Sequence, residues 1–280
     1  MIRRCRPLLG TFVEITVRDC HADALGAAFE IIAHIHQCMS FHEAGSDLSR
    51  LRAARPGEAV EVDRETAAVL RLAIAFHGAT DGLFDVTIGR QLVRSRFLPR
   101  DGIIHLGRFR GTTADIEVLD DRHVRLAQRV LIDLGGIAKG HAVDRAIESL
   151  IAAGVPAALV NAGGDLRMYG DQDWPVQLRD ADNVARQMVN LRECALASSA
   201  NLLERHRMLK EDHSPHIGRN GRPVLIDHRV SVIADRCIVA DAMTKVAMVD
   251  PDLADEILSA HKGFVLRPEM LLAENLAGTA

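Results

Sequence analysis

Aromatic side chains are scarce in this sequence, with a single Trp174 and a single Tyr169. A face of stacked Trp and Tyr, the usual platform for single-stranded nucleic acid, is thereby disfavoured. Basic runs are missing as well. Lysine and arginine total 34 against 38 aspartates and glutamates, a formal charge of −4, with the two signs interspersed. No basic stripe marks a nucleic-acid contact, and the short run Arg3, Arg4, Arg6 reads as a solvated N-terminal arm. The five cysteines (Cys5, Cys20, Cys38, Cys194, Cys237) form no CxxC pair, so neither a zinc nor a dithiol redox site is suggested. Free thiols in a reducing cytoplasm are expected instead. No apolar run approaches the ~20 residues of a membrane helix. Glu14 interrupts the first apolar stretch, so neither a signal peptide nor a lipobox before Cys5 is visible. The expected location is cytoplasmic, without a membrane span.

What remains is an ordinary globular composition, 48% apolar and 26% charged. The length of 280 residues suits one large domain or two lobes. Gly10–Val17 alternates as a strand does, and Leu25, Phe29, Ile32, Ile35 and Met39 recur at helical spacing over Ala22–Phe41. Ser46 and Asp63 stand as N-caps, the second before a helix running through Ala67 and Leu70 to His77. Three short strand signals lie between Gly102 and Ile132, and a helix is predicted over Ala138–Ala153, closed by Gly154. Strands are predicted at Ala157–Asn161, Trp174–Leu178, Met188–Leu191 and Val230–Ala234, and helices at Val239–Val249 and Asp252–Ser259. Strands mixed with helices, without a regular βαβ repeat, argue for an α+β fold. We read residues 1–280 as one two-lobed domain, with its only seam in Arg90–Gly102.

Four segments carry the types of residue that chemistry needs. In Asp133-Leu134-Gly135-Gly136-Ile137-Ala138-Lys139-Gly140 an acid is followed by a double glycine and the start of a helix. Glycines let backbone approach a ligand, and free N–H groups at a helix start suit a phosphate. Alone, such a turn is common in proteins that bind nothing. Asp81–Thr87 reads as a helix C-cap leading to a strand, yet Asp85 sits among apolar neighbours and needs a partner, a ligand being one candidate. Asn161–Asp165 is either a structural turn or a cradle of backbone N–H groups. Asp241 and Thr244 stand at i and i+3 on a helix, where their oxygens can face one point, as Mg2+ would require. A lone Asp/Thr pair is more often surface or cap. His213 and His216 have zinc-like spacing but no third ligand.

The order of these pieces is more specific than any one of them. Leu9–Glu14, Ser46–Leu51, Asp81–Thr87, Asp133–Gly140, Asn161–Asp165, Ala197–Ser199, His216-Ile217 and Ala240–Thr244 together resemble the ApbE-type FAD:protein FMN transferase family. The resemblance spans roughly Pro7 to Val249. It implies a two-lobed domain related to the T-fold type, with FAD as substrate bound between the lobes and Mg2+ on its diphosphate. It implies transfer of FMN to a Ser or Thr hydroxyl of an acceptor flavoprotein, with release of AMP. By position, Leu9, His42, Leu83, Phe84, Asp85, Asp133, Lys139, His216 and Ile217 would contact FAD. Gly136, through its carbonyl, Asp241 and Thr244 would hold the metal. Asp241, Lys139 and His216 would carry catalysis, the last two by adding positive charge to the transition state.

The chain departs from the family pattern in four places. His42 stands where a Tyr is usual, and Arg52 where an Asn is common. The loop His216–Pro223 lacks the usual Asp-Pro. Lys245 occupies the position, four residues after Asp241, of the usual metal-binding Thr, so that either Thr244 substitutes or the ammonium takes part of the metal's role. Two other readings stay open: an FAD-binding protein without transferase activity, and a pyrophosphatase splitting FAD into FMN and AMP.

Overall fold

The computed structural model describes residues 1–18, 21–100, 102–201, 213–219 and 221–267. Alternation in Thr11–Val17 (β2) puts Val13, Ile15 and Val17 on one fully buried face. That face is one row of a seven-stranded sheet, and every neighbouring pair in it is antiparallel. Its order is β1 (Ile2–Leu8), β2, β6 (Ala158–Ala162), β7 (Asp165–Tyr169), β10 (Ala195–Ser199), β11 (Val230–Ala234) and β12 (Phe264–Leu266). The arginines expected on a solvated arm instead belong to edge strand β1, in full register with β2. Arg6 pairs with Glu30 at 3.2 Å and lies over the Phe29 ring at 4.7 Å. Basic residues on an edge strand also discourage pairing with another chain.

The two faces of the sheet are covered differently. On one, Val13, Val160, Ala195, Ala197 and Val232 pack against α1 (Ala24–Met39), α5 (Ala138–Ala152) and α6 (Cys237–Ala247). On the other, Leu166, Met168, Leu196 and Ile233 pack against a hairpin of β8 (Trp174–Arg179) and β9 (Ala185–Leu191). Beyond the helices lies a second, three-stranded sheet in the order β3 (Ala59–Glu61), β5 (His123–Leu126), β4 (Ile116–Val118). It adjoins α2 (Asp47–Ala53) and α3 (Arg64–Ala79), capped by Ser46 and Asp63 as expected. The short α4 (Gly89–Arg94) follows, and α7 (Pro251–Ser259) covers the end of α6. No helix among the described residues is long and apolar enough to cross a membrane.

Two local expectations fail. Only two strands, β4 and β5, form between residues 102 and 132, because the earlier part winds into 3-10 turns at Leu106–Arg108 and Thr113–Asp115. No strand follows the turn at Asp81-Gly82. There Thr80 Oγ1 donates to the Phe76 carbonyl and accepts from the Phe84 amide, so local side-chain bonds replace ladder pairing.

The helix pair behind the sheet is drawn together by small residues. A Cβ on Gly140 would stand 2.4 Å from the Cys237 carbonyl oxygen, so only glycine permits this approach of α5 to α6. The amides of Cys237 and Ile238 both donate to the fully buried Asp144 carboxylate, at 2.9 Å each. Asp144 is thus an N-terminal cap for α6 supplied by α5, and Arg167 compensates its charge at 2.8 Å.

Candidate functional site

A cavity of about 730 Å3 opens among the β1–β2 turn, the end of α1 and the segments around residues 83–98, 133–139 and 215–217. Ten of the residues singled out from the sequence line it: Leu9, His42, Leu83, Phe84, Asp85, Asp133, Gly136, Lys139, His216 and Ile217. Asp241 and Thr244 are fully buried directly beneath, and Lys245 reaches into the lining above them.

Each segment is positioned by a local cause. Leu9 and Gly10 form the β1–β2 turn with φ of 56° and 70°, and the Leu9 amide donates to His36 Nδ1 at 3.4 Å. A leucine in the left-handed region is strained backbone at the cavity rim. Asp85 finds its partners inside the protein: its Oδ1 accepts from the Thr87 amide and hydroxyl at 2.7 Å and from Thr113 Oγ1 at 3.0 Å. The ligand that seemed one way to satisfy it is therefore not required. Arg52 braces His42's neighbour, donating to the Phe41 carbonyl and lying 4.9 Å from that ring's centre. The loop after His216 closes on itself through Gly218 N to Arg222 O at 2.9 Å and Val224 N to His216 O at 2.8 Å. Arg219 ties it to the end of α3, donating to the Thr80 carbonyl at 3.1 Å. The unusual loop thus holds His216 and Ile217 at the cavity without an Asp-Pro.

The turn at Asn161–Asp165 proves structural. The Asn161 side chain accepts from the Gly164 amide at 2.8 Å, and the turn does not line the cavity. Its Asp165 nevertheless binds Lys139 Nζ, a partnership the sequence did not suggest.

Charges concentrate at the α5–α6 end. Burial raises the Asp133 carboxyl to about 6, against the opposing amide of Gly135 and the charges of His42 and Lys245. Burial pulls Lys139 below the usual lysine range, only partly countered by Asp241. For Asp241 burial pushes the carboxyl up, but Lys139 and Lys245 outweigh it and hold it low. His216 is lowered to about 3 by burial, with Lys245 and Lys139 adding to the effect. It is therefore neutral at pH 7 and does not supply the positive charge expected of it. Its buried Nδ1 has no hydrogen-bond partner among the described residues.

Two of the expected Mg2+ ligands, Asp241 and Thr244, come together, but Lys245 occupies them. Lys245 Nζ lies 2.5 Å from Asp241 Oδ1, 3.0 Å from the Asp241 carbonyl oxygen and 3.0 Å from Thr244 Oγ1. Thr244 Oγ1 donates its one hydrogen to the Asp241 carbonyl at 2.7 Å, so it accepts from both Ser199 and Lys245. No lone pair is left for an ion. Asp241 Oδ2 accepts from the Gly140 amide at 3.1 Å. Gly136 lies against the lysine stem, where an added Cβ would be 3.3 Å from Lys245 Cε. With the Thr244 lone pairs filled and an ammonium on Asp241 Oδ1, this set does not fit Mg2+, which binds through one or two open carboxylates and completes its shell with water and phosphate.

A second hollow, between α1, α2 and β3, brings His34, Cys38 and Asp63 within 4.8 Å of one another. His34 pairs with Asp63 at 2.9 Å. The Cys38 thiol is pushed up to about 12 by burial and by Asp47 and Asp63, so it remains protonated. Sequence reasoning also missed Phe97, Leu98 and Arg229 in the main cavity wall. The first two lie in the stretch read as a seam, where the paired apolar residues among arginines were the available signal.

Comparison with known proteins places this geometry. A FAD:protein FMN transferase of Treponema pallidum is 26% identical, over 88% of this chain and 78% of its own length. One of Vibrio cholerae is 24% identical, over 78% and 71% respectively. Among solved structures, the flavin transferase ApbE from Vibrio cholerae superposes with a TM-score of 0.76 at 21% identity, covering 95% of this chain and 92% of that one. The apbe protein of Thermotoga maritima gives 0.72 at 24% identity, covering 98% and 99%. The sequence model of the ApbE family matches residues 9–265, and the chain belongs to that family.

Proposed function

We propose that this protein transfers the FMN half of FAD to a Ser or Thr hydroxyl of an acceptor flavoprotein and releases AMP. The observation that carries the reading is the main cavity, which joins an apolar wall (Leu83, Phe84, Ile217) to a charged end holding Asp133, Lys139 and Lys245. A dinucleotide has the same division into flat rings and a charged diphosphate. The volume lies in the upper part of the ~300–1,000 Å3 range of ligand pockets. The names of the curated relatives support the same chemistry.

In this reaction the acceptor oxygen bonds to the phosphorus of the FMN phosphate, and the bond from that phosphorus to the AMP phosphate oxygen breaks. Lys139 supplies fixed positive charge where charge develops on the phosphates. The hydroxyl proton needs an acceptor, and we assign it to His216, which is neutral and lines the cavity. An anionic diphosphate beside it would raise its basicity. Asp241 acts by holding the lysines. The unpaired thiols Cys5, Cys38, Cys194 and Cys237 agree with a reducing, cytoplasmic setting.

The test is incubation with FAD and a flavoprotein acceptor carrying a Ser/Thr site, read by in-gel fluorescence and intact mass. The acceptor is expected to gain one FMN while AMP is released. FAD split to FMN and AMP with no labelled protein would favour the pyrophosphatase reading. FAD bound but unchanged would leave a flavin-binding protein.

A further inference from the structure

Lys245 follows Asp241 by four residues on α6, the spacing at which a helix sets a lysine over an acid on its N-terminal side. Thr244, at three residues, brings its hydroxyl to the same point. The ammonium then has three oxygen partners, Asp241 Oδ1, the Asp241 carbonyl and Thr244 Oγ1, for its three hydrogens. All three lie in a helix whose Asp241 and Thr244 are fully excluded from solvent, while Lys245 itself reaches the cavity lining. The lysine is thus not a loose surface charge. It sits in a built socket, facing the space where Lys139 also stands.

We infer that Lys245 is the resident cation of this site, occupying the position of a divalent ion, and that the cavity binds a dinucleotide diphosphate without divalent metal. The inference rests on the proposed flavin reading for its ligand, but not for the occupancy of the socket. A dication entering there would have to expel an ammonium from three oxygens and settle within reach of Lys139, whose Nζ is 4.0 Å from Asp241 Oδ2. With the lysine in place, the charge that a diphosphate needs is already covalently present, carried by Lys139 and Lys245 together.

Two measurements test this. The first titrates the protein, without flavin, with Mn2+ followed by electron paramagnetic resonance. Wild-type protein is expected to leave Mn2+ free in solution, whereas Lys245→Thr, which exchanges the ammonium for an oxygen donor, is expected to take up one ion. Mn2+ bound by wild-type protein and released by Asp241→Asn would overturn the inference. The second measures FAD affinity by flavin fluorescence, in EDTA and in Mg2+. Wild-type affinity is expected to agree within about twofold between the two buffers, the scale of a negligible change in free energy. Lys245→Met should lose at least about tenfold in both, as removal of a positive charge facing the diphosphate would. Lys245→Thr should be weak in EDTA and recover in Mg2+. A wild-type affinity that falls about tenfold or more in EDTA and returns with Mg2+ would contradict the inference. If FAD fails to bind while the Mn2+ results come out as expected, the flavin reading falls and the cation assignment stands.

Discussion

The two ends of the cavity are built on opposite plans. At the α5–α6 end backbone meets backbone: Gly140 lies against the Cys237 carbonyl, and Asp144 caps the neighbouring helix. The charges on the helices there have named partners, Lys139 with Asp165, Lys245 with Asp241, Asp144 with Arg167. At the other end the wall comes from loops, with Leu83, Phe84, Phe97 and His42 held by turns and single hydrogen bonds. The contrast suggests a division of labour. Charges that must be fixed to within fractions of an ångström stand on rigid, tightly crossed helices. The apolar wall has only to exclude water and stack against rings, which tolerates looser support.

The sharpest way to break this comparison is to remove a buried charge from each end. Asp144→Ala strips the cap from α6 and leaves Arg167 uncompensated, so a loss of about 3–5 kcal/mol is expected in urea denaturation. Asp85→Ala at the open end, where the partners are two threonines, should cost only about 1–2 kcal/mol. Equal costs would remove the distinction between the ends. Gly140→Ala comes next. Its methyl meets backbone at 2.4 Å, and a loss of about 1–3 kcal/mol is expected, with FAD affinity falling as the Gly140 amide leaves Asp241.

Asp133 gives a smaller effect of opposite sign. Its folded carboxyl is raised to about 6 from an ordinary 3.8, so the folded state holds this proton more tightly than the unfolded state. Its contribution is therefore fully present below about pH 4 and is lost as pH rises through 6, on the order of 3 kcal/mol in all. Asp133→Asn should lack that slope, melting higher than wild type at pH 7 while binding FAD less well. Melting curves from pH 4 to 7 that run parallel for the two proteins would show that Asp133 is not perturbed. The smallest effect belongs to Phe97→Ala. Phe97 stacks on His213 at 4.3 Å in the cavity wall, so stability should change by only about 1 kcal/mol while FAD affinity drops. A large fall in melting temperature would mean that this wall is as rigid as the other end.

The same contrast explains what the sequence disclosed. The helix caps Ser46 and Asp63, the α1 stripe and the β2 alternation are local signals, and all appear where expected. Strands β7, β10 and β12 were missed because their pairing is set by distant partners, Ala195 with Arg167 and Val232 with Val265 for example. The order of motifs marked both ends of the cavity. It did not reveal that Asp165 would hold Lys139, or that Asp144 would cap another helix, because both depend on how α5 crosses its neighbours. His216 was assigned a charge that burial removes, a property no spacing encodes. Lys245 was visible as a departure at one position, but only the packed helix shows that its ammonium fills the socket.

The most direct test of the account is a crystal structure of the protein with FAD, grown in EDTA. The account predicts FAD in the main cavity, its diphosphate at the Lys139–Lys245 end, with Lys245 still seated on Asp241 and Thr244. FAD lying elsewhere, or Lys245 swung away from an empty Asp241 socket, would contradict it.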